Sequence, residues 1–191
     1  MIHDRLIGRL MKQVGESWAR GAFSIGEEHR ISESILDVLY GIQTSLDTEL
    51  RPHGPAVVLG TIQDEQHVTG AMMIRTLLTE AGYRVSYLGR NVPVEDFLLF
   101  QRKQAAPLIC LSATLSRSPE EIVEAVNNLL ILSREEEFHV AVGGSGAAAA
   151  RALAHRVRYP SRVRFFDTAI DFMEWADGIS FHQPVLEHET R

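Results

Sequence analysis

Residues 55–93 read PAVVLGTIQDEQHVTGAMMIRTLLTEAGYRVSYLGRNVP. A short apolar run, Ala56–Gly60, gives way to a polar loop, then to a stretch with apolar residues at helical spacing, then to a second β-branched run, Arg84–Leu88. Strand, helix and strand in succession make a crossover unit, and strands that are apolar on both faces belong to a parallel sheet covered on both sides. The same alternation continues downstream. It predicts further strands at Leu108–Ser112, His139–Gly143 and Arg162–Phe166, with helices over 68–82, 94–104, 119–132, 146–157 and 168–177.

Five such units in about 120 residues are the size of a flavodoxin-like, doubly wound α/β domain with a five-stranded parallel sheet. In that architecture ligands sit beyond the carboxyl ends of the strands, so function is expected in the loops that follow them. Upstream the texture is helical. Leu6, Leu10, Val14 and Trp18 recur every four residues, with Ile7 and Met11 beside them, which predicts a first helix. Gly21 and Gly26 interrupt it, and Ser24-Ile25-Gly26-Glu27 reads as a capping box that starts a second. Ile31, Ile35, Leu39, Ile42, Leu46 and Leu50 give that helix its apolar face, and Arg51-Pro52-His53-Gly54-Pro55 stops it. The expected division is a short α-helical segment over residues 1–53 preceding a Rossmann-like domain over 54–191, closely coupled through a short linker.

The 191 residues are 45% apolar and 23% charged, an ordinary globular balance. Nineteen basic against twenty-five acidic side chains leave a net charge of −6, which disfavours direct binding to nucleic acid phosphates. The single cysteine, Cys110, sits in an apolar run, so no intrachain disulfide forms and a cytoplasmic protein is expected. No apolar stretch approaches the roughly twenty residues that span a bilayer, and the start MIHDRLIGRLMKQ lacks a signal-peptide core. No membrane association or export is expected.

The loop after the first strand carries Glu65 and His67. A neutral imidazole there can hold a metal through one ring nitrogen while Glu65 accepts a hydrogen bond from the other. Alone, His67 reads more readily as a solvated residue of a helix-start turn. After the third strand the chain reads Leu111-Ser112-Ala113-Thr114-Leu115-Ser116, and after the fourth Val142-Gly143-Gly144-Ser145-Gly146. Glycines at a strand end admit a bulky ligand to the backbone and a neighbouring hydroxyl can bond it; a tight strand-to-helix turn explains the glycines as well. Residues 151–164 hold Arg151, Arg156, Arg158, Arg162 and Arg164 and no acid, either a solvated face or a docking patch for an acidic partner.

Taken together, Glu65-x-His67-x-x-Gly70, Ser112-x-Thr114 and Gly143-Gly144, at the ends of successive strands, resemble the cobalamin-binding domain family, whose pattern is Asp-x-His-x-x-Gly, Ser-x-Leu and Gly-Gly. Tyr87-Leu88-Gly89-Arg90-Asn91-Val92-Pro93 also looks like that family, so the resemblance covers roughly residues 55–178. Two departures stand out: glutamate at 65 for the usual aspartate and Thr114 for the leucine. The resemblance implies that His67 is the lower axial ligand of cobalt, with Glu65 as its hydrogen-bonded partner. It further implies that the nucleotide tail of the cofactor passes Ser112, Gly143 and Gly144.

Trp18, nine residues, then Glu28-His29 is a second signature, similar to that of adenosylcobalamin photoreceptors of the CarH and LitR type. The resemblance implies a helical cap in which Trp18 covers the adenosyl group and Glu28 and His29 contact it. By themselves these residues also read as the end of an apolar stripe and a solvated helix turn. Where those photoreceptors carry a second cobalt-capturing histidine, this chain has Ala19. The family's cap is normally a four-helix bundle behind a DNA-binding domain. Here two helices precede residue 53, and pairing of two hairpins in a homodimer would restore four. The resulting expectation is a non-enzymatic cobalamin-binding light sensor that regulates a protein partner such as a transcription factor. Its cofactor would be adenosylcobalamin, with hydroxocobalamin or methylcobalamin as alternatives. The alternative function is a corrinoid methyl carrier of a methyltransferase system.

Overall fold

The computed structural model describes residues 24–134 and 136–178. The first expected helix and Trp18 lie outside them. The capping box at Ser24 forms as its spacing predicts: the Ser24 hydroxyl accepts from the Glu27 amide at 3.3 Å, and the Glu27 carboxylate accepts from the Ser24 amide at 2.8 Å. These bonds satisfy amides that a helix start otherwise leaves without partners. Helix α1, Ile25–Glu49, follows.

The elements after it alternate as expected: β1 Ala56–Ile62, α2 Thr69–Glu80, β2 Arg84–Val92, α3 Val94–Gln104, β3 Leu108–Ser112, α4 Pro119–Leu132, β4 His139–Gly143, α5 Ala147–Arg151, β5 Val163–Phe165 and α6 Ala169–Gly178. All strand pairs are parallel, and the order is β2-β1-β3-β4-β5, the flavodoxin-like sequence of strands. Every residue of β1 and β3 is buried, as their unbroken apolar runs require of central strands. One face of the sheet packs Val58, Ile109 and Val140 against α3, α4 and α5; the other packs Val57, Leu108 and Cys110 against α2 and α6.

Four elements differ from the sequence expectation. Strands β1 and β2 run on to Ile62 and Val92, which pair across two register shifts. Gly89 and Asn91 have little strand propensity and sit at positive φ, and pairing of Val92 with Ile62 carries the strand past them. The helix expected over 146–157 stops at Arg151 and resumes only as a 3-10 turn at Ala154–Arg156. Asn127 of α4 captures the chain there, donating to the Arg156 carbonyl at 3.0 Å and accepting from the Arg158 amide at 2.9 Å. Arg162 falls outside β5 because its amide closes the 3-10 turn Pro160–Arg162, donating to the Tyr159 carbonyl at 3.0 Å.

Helix α1 packs on α2 through a third apolar cluster, in which Ile35, Leu36 and Leu39 meet Val68, Met72 and Met73. Gln43 donates to Thr79, near the far end of α2, at 3.2 Å. The amides of His53 and Gly54 both donate to the Gly82 carbonyl, fixing the end of the linker at the amino edge of the sheet. Thus α1 descends beside α2 in the same direction. At about 1.5 Å per residue its 25 residues span about 37 Å against about 18 Å for the 12 of α2. The excess lies at its start, so the turns before Ile31 run past the beginning of α2 on the carboxyl side of the sheet.

Candidate functional site

Thr61, Ser112 and Gly143 occupy one row across β1, β3 and β4, so three strands end level and their following loops meet. This row is the floor of the site. In the β1 loop, Asp64 turns the backbone with a φ of 64°, a left-handed conformation that aspartate adopts more readily than most residues. The turn is fastened from two sides. The Thr61 hydroxyl donates to the Glu65 carbonyl at 2.7 Å and accepts from the Asn91 amide at 2.9 Å, while the Asn91 side chain accepts from the Asp64 amide at 2.7 Å.

The Glu65 side chain is fully buried and each carboxylate oxygen has its own set of donors. Oε1 accepts from the His67 amide at 2.9 Å and faces His67 Nδ1 at 2.7 Å. Oε2 accepts from the Thr114 amide at 2.8 Å, the Thr114 hydroxyl at 2.7 Å and the Ser116 hydroxyl at 2.9 Å. Burial alone would push the carboxyl up. The hydrogen bonds from His67 and Thr114 outweigh it and hold the group at about 2, so Glu65 is a carboxylate. An ionised Oε1 so near Nδ1 keeps the proton on that nitrogen and leaves the Nε2 lone pair of a neutral ring bare. His67 is 60% exposed, so that lone pair is open to a metal.

The other strand ends are shaped by close approach of backbone. Gly144 has a φ of +98°, and a Cβ on it would press into the Ala113 carbonyl. A Cβ on Gly146 would meet the Thr114 carbonyl at 2.6 Å. Gly143 is different: nothing lies within 4 Å of where its side chain would be. Gly70, one residue into α2, faces Ser112, whose hydroxyl lies 3.6 Å from the place of a Cβ. The floor is therefore open above Gly143, where it presents bare backbone. Among the described residues no three His, Cys, Asp or Glu side chains gather to hold a metal ion. His67 can offer one ligand, which fits a metal whose equatorial positions a macrocycle fills.

Of the residues expected from sequence, Glu65, His67 and Thr114 come together in one bonded group, with Gly70, Ser112, Gly143 and Gly144 along the floor beside it. His29 lies exposed in the second turn of α1. The Glu28 side chain and Trp18 lie outside what is described. Sequence reading missed Ser116, Thr61 and Asn91 as site residues. The hydroxyl run Ser112-x-Thr114-x-Ser116 and an asparagine in the left-handed region, with a φ of 55°, are the signals that mark them.

Residues 55–165, more than half of the chain, match the B12 binding domain. The chain belongs to that family. Its cofactor class is therefore cobalamin or a related corrinoid. The chain is 27% identical over 154 residues to the HTH-type transcriptional repressor CarH of Myxococcus xanthus, covering 81% of this chain and 50% of that protein. It is also 27% identical over 142 residues to dimethylamine corrinoid protein 2 of Methanosarcina acetivorans, covering 73% of this chain and 65% of the relative. The chain thus spans half to two thirds of the length of these relatives. In fold it resembles a cobalamin-binding protein from Desulfitobacterium hafniense, with a TM-score of 0.56 and 23% identity over 87% of this chain and 76% of the other. The monomethylamine corrinoid protein of Methanosarcina barkeri gives a TM-score of 0.63 at 14% identity, over 78% of this chain and 69% of the other. Among the described residues no helix is long and apolar enough to cross a membrane.

Proposed function

We propose that this chain is a cobalamin-binding light sensor that regulates a protein partner, such as a transcription factor, and is not itself an enzyme. The observation that carries this reading is the course of α1, whose first turns, with Glu28 and His29, extend past α2 toward the strand ends where His67 stands. Trp18 precedes them at the spacing found in the adenosylcobalamin photoreceptors. A helical segment so placed suits a cover over the face of a flat cofactor opposite His67.

In this reading His67 ligates cobalt through Nε2, and Glu65 holds the ring in the required tautomer. Gly143 leaves room for the nucleotide tail beside the Ser112 hydroxyl. When bound, adenosylcobalamin supplies a cobalt–carbon bond that visible light breaks. Residues 1–53 then act as the two-state element: their contacts with the upper ligand exist in one state and not in the other, and that difference is what a partner reads. A net charge of −6 supports a protein over nucleic acid as the partner.

A corrinoid methyl carrier is the second reading, favoured by the equal 27% identity to the dimethylamine corrinoid protein. One experiment separates them. The apo-protein is mixed with adenosylcobalamin in darkness, desalted, and followed by absorbance and hydrodynamic size before and after illumination. The sensor retains adenosylcobalamin and changes spectrum and size with light. Retention of methylcobalamin but not of the adenosyl form, with no light-dependent change in size, would assign the chain to the carriers.

A further inference from the structure

The arginine-rich stretch 151–164 takes no part in the site around His67, yet it shapes a cleft at the other end of the sheet. Val163 pairs with Val140, so Arg162 and His139, one position earlier, stand at the amino ends of β5 and β4, away from the row of Ser112 and Gly143. There His139, Ser161, Arg162, Arg164 and Trp175 line a cleft of about 300 Å³ whose walls carry no carboxylate. Its parts are fixed before anything enters. The Arg162 guanidinium lies 4.5 Å from the centre of the Phe138 ring and donates to the Phe138 and Ser133 carbonyls at 3.2 and 3.1 Å, while its Nη2 is buried without an acceptor. Trp175 stands at 87° to the His139 ring, 6.0 Å away, and carries the Arg164 guanidinium over its own ring at 5.9 Å. Burial and the Arg162 charge push the His139 pKa down, so the guanidiniums alone supply the positive charge.

Ion pairs hold Arg75, Arg102 and Arg151 to carboxylates, and among the described residues none reaches Arg162 or Arg164. On a chain of net charge −6, the cleft therefore concentrates positive potential that the rest of the surface lacks. Arg164 and Trp175 also belong to a second cleft, of about 430 Å³, which Asp167, Asp171 and Glu174 line with Arg151. Arg151 is answered by Asp167 at 2.8 Å, which leaves Asp171 and Glu174 as its free charges. Joined at Arg164 and Trp175, the two clefts make one groove along the edge strand β5, basic at the amino end and acidic at the carboxyl end. A small anion would need only the first cleft; opposite charges at the two ends of a groove suit a stretch of chain.

We propose that this groove docks an extended segment of the partner protein, with acidic residues of the segment against Arg162 and Arg164 and basic residues against Asp171 and Glu174. The assignment rests on the reading of the chain as a regulator of a protein partner. It leaves the cofactor site open, because the groove follows β5 whereas Ser112 and Gly143 lie on β3 and β4.

The probe is a blocked peptide of three glutamates, two glycines and three lysines, titrated into the full chain while the indole N–H signal of Trp175 is followed. Trp175→Phe distinguishes that signal from Trp18, the second of the two tryptophans. The peptide is expected to move the Trp175 signal, and a peptide of the same composition with its charges alternating to bind about tenfold more weakly. Arg164→Gln should weaken binding about fivefold, as for an exposed charge pair. Ser161→Glu, which sets an acid at the exposed mouth of the cleft, should weaken it by about tenfold or more. Both variants should retain adenosylcobalamin as wild type does. A Trp175 signal that the peptide leaves unmoved, or variants that bind as wild type does, would overturn the proposal. Equal binding of inorganic phosphate would give the cleft to a small anion, and a Trp175 signal that moves on dilution of the chain alone would give it to a second copy; either result also overturns it. Should Arg164→Gln fail to fold, Ser161→Glu decides. If the chain binds the peptide but retains no adenosylcobalamin, the sensor fails and the groove stands; a light response with no movement of Trp175 does the reverse.

Discussion

At the scale of single residues, His67 and Glu65 divide their work by burial. The carboxylate is sealed and saturated with donors, which costs it solvation and repays that cost in hydrogen bonds; the imidazole is left outside, needing nothing from the core. His67→Ala therefore removes one hydrogen-bond donor to Oε1 and little packing, while the residue 67 amide continues to donate to it. Its thermal midpoint should correspond to a loss of about 1 kcal/mol. Corrinoid retention should fall about ten- to hundredfold, at least what loss of a ligand's partner costs, with the spectrum of the bound form shifting to base-off cobalamin. An unchanged spectrum would mean that His67 is not the ligand. The relay between residues 65 and 67 was legible because its two members are neighbours in the chain. Ser116 was not, since its partner lies 51 positions away and only the pairing of β1 with β3 brings them together. The apolar surroundings of Cys110 were equally readable, and burial pushes its thiol up, consistent with an inert side chain.

At the scale of elements, local signals account for what sequence predicted well. Pro93 opens α3, Ser118-Pro119 opens α4 with a second capping box, and the apolar runs of β3 and β4 are bounded as read. The ends of β1 and β2 and the short α5 were misjudged because pairing and side-chain capture from elsewhere in the fold decide them. The arginine-rich stretch belongs to the same lesson. Arg151 is paired with Asp167 at 2.8 Å, Arg162 is bound to two carbonyls, and Arg164 stands over the Trp175 ring, so three of its five arginines hold the β5 edge together. The glycine pair after β4 looks uniform in sequence and is not. Gly144→Ala is expected to cost at least about 2 kcal/mol, since it adds left-handed strain to a clash with the Ala113 carbonyl. Gly143→Ala should leave stability within about 0.5 kcal/mol of wild type, because its side chain enters open space, yet reduce corrinoid retention by filling that space. Chemical denaturation and desalting of each variant check the pair. Equal stability losses at both positions would mean that the space at Gly143 is not a ligand's.

At the scale of the whole molecule, the three apolar clusters make α1 a separable part. Two of them pack the sheet between its covering helices, and among the described residues only the third, centred on Leu39 and Met72, includes side chains of α1. A helix attached through one small cluster, the Gln43–Thr79 hydrogen bond and the Asp47–Arg75 ion pair can open without the sheet unfolding, and such low-stability units are the ones from which switching elements are drawn. Leu39 has no exposed surface, so Leu39→Ala removes buried apolar contact at a cost of about 2–5 kcal/mol, nearly all of it charged to the docking of α1. Amide hydrogen exchange should then show protection lost along Ile25–Glu49 and kept in β1, β3 and β4. Hydroxocobalamin, held from below by His67, should be retained nearly as in wild type, whereas adenosylcobalamin, which alone offers an upper group for the helical segment to cover, should lose affinity. Loss of protection throughout the strands would show α1 and the sheet to be one cooperative unit, and a sensor whose cover moves while its floor stays still would then have no physical basis in this chain.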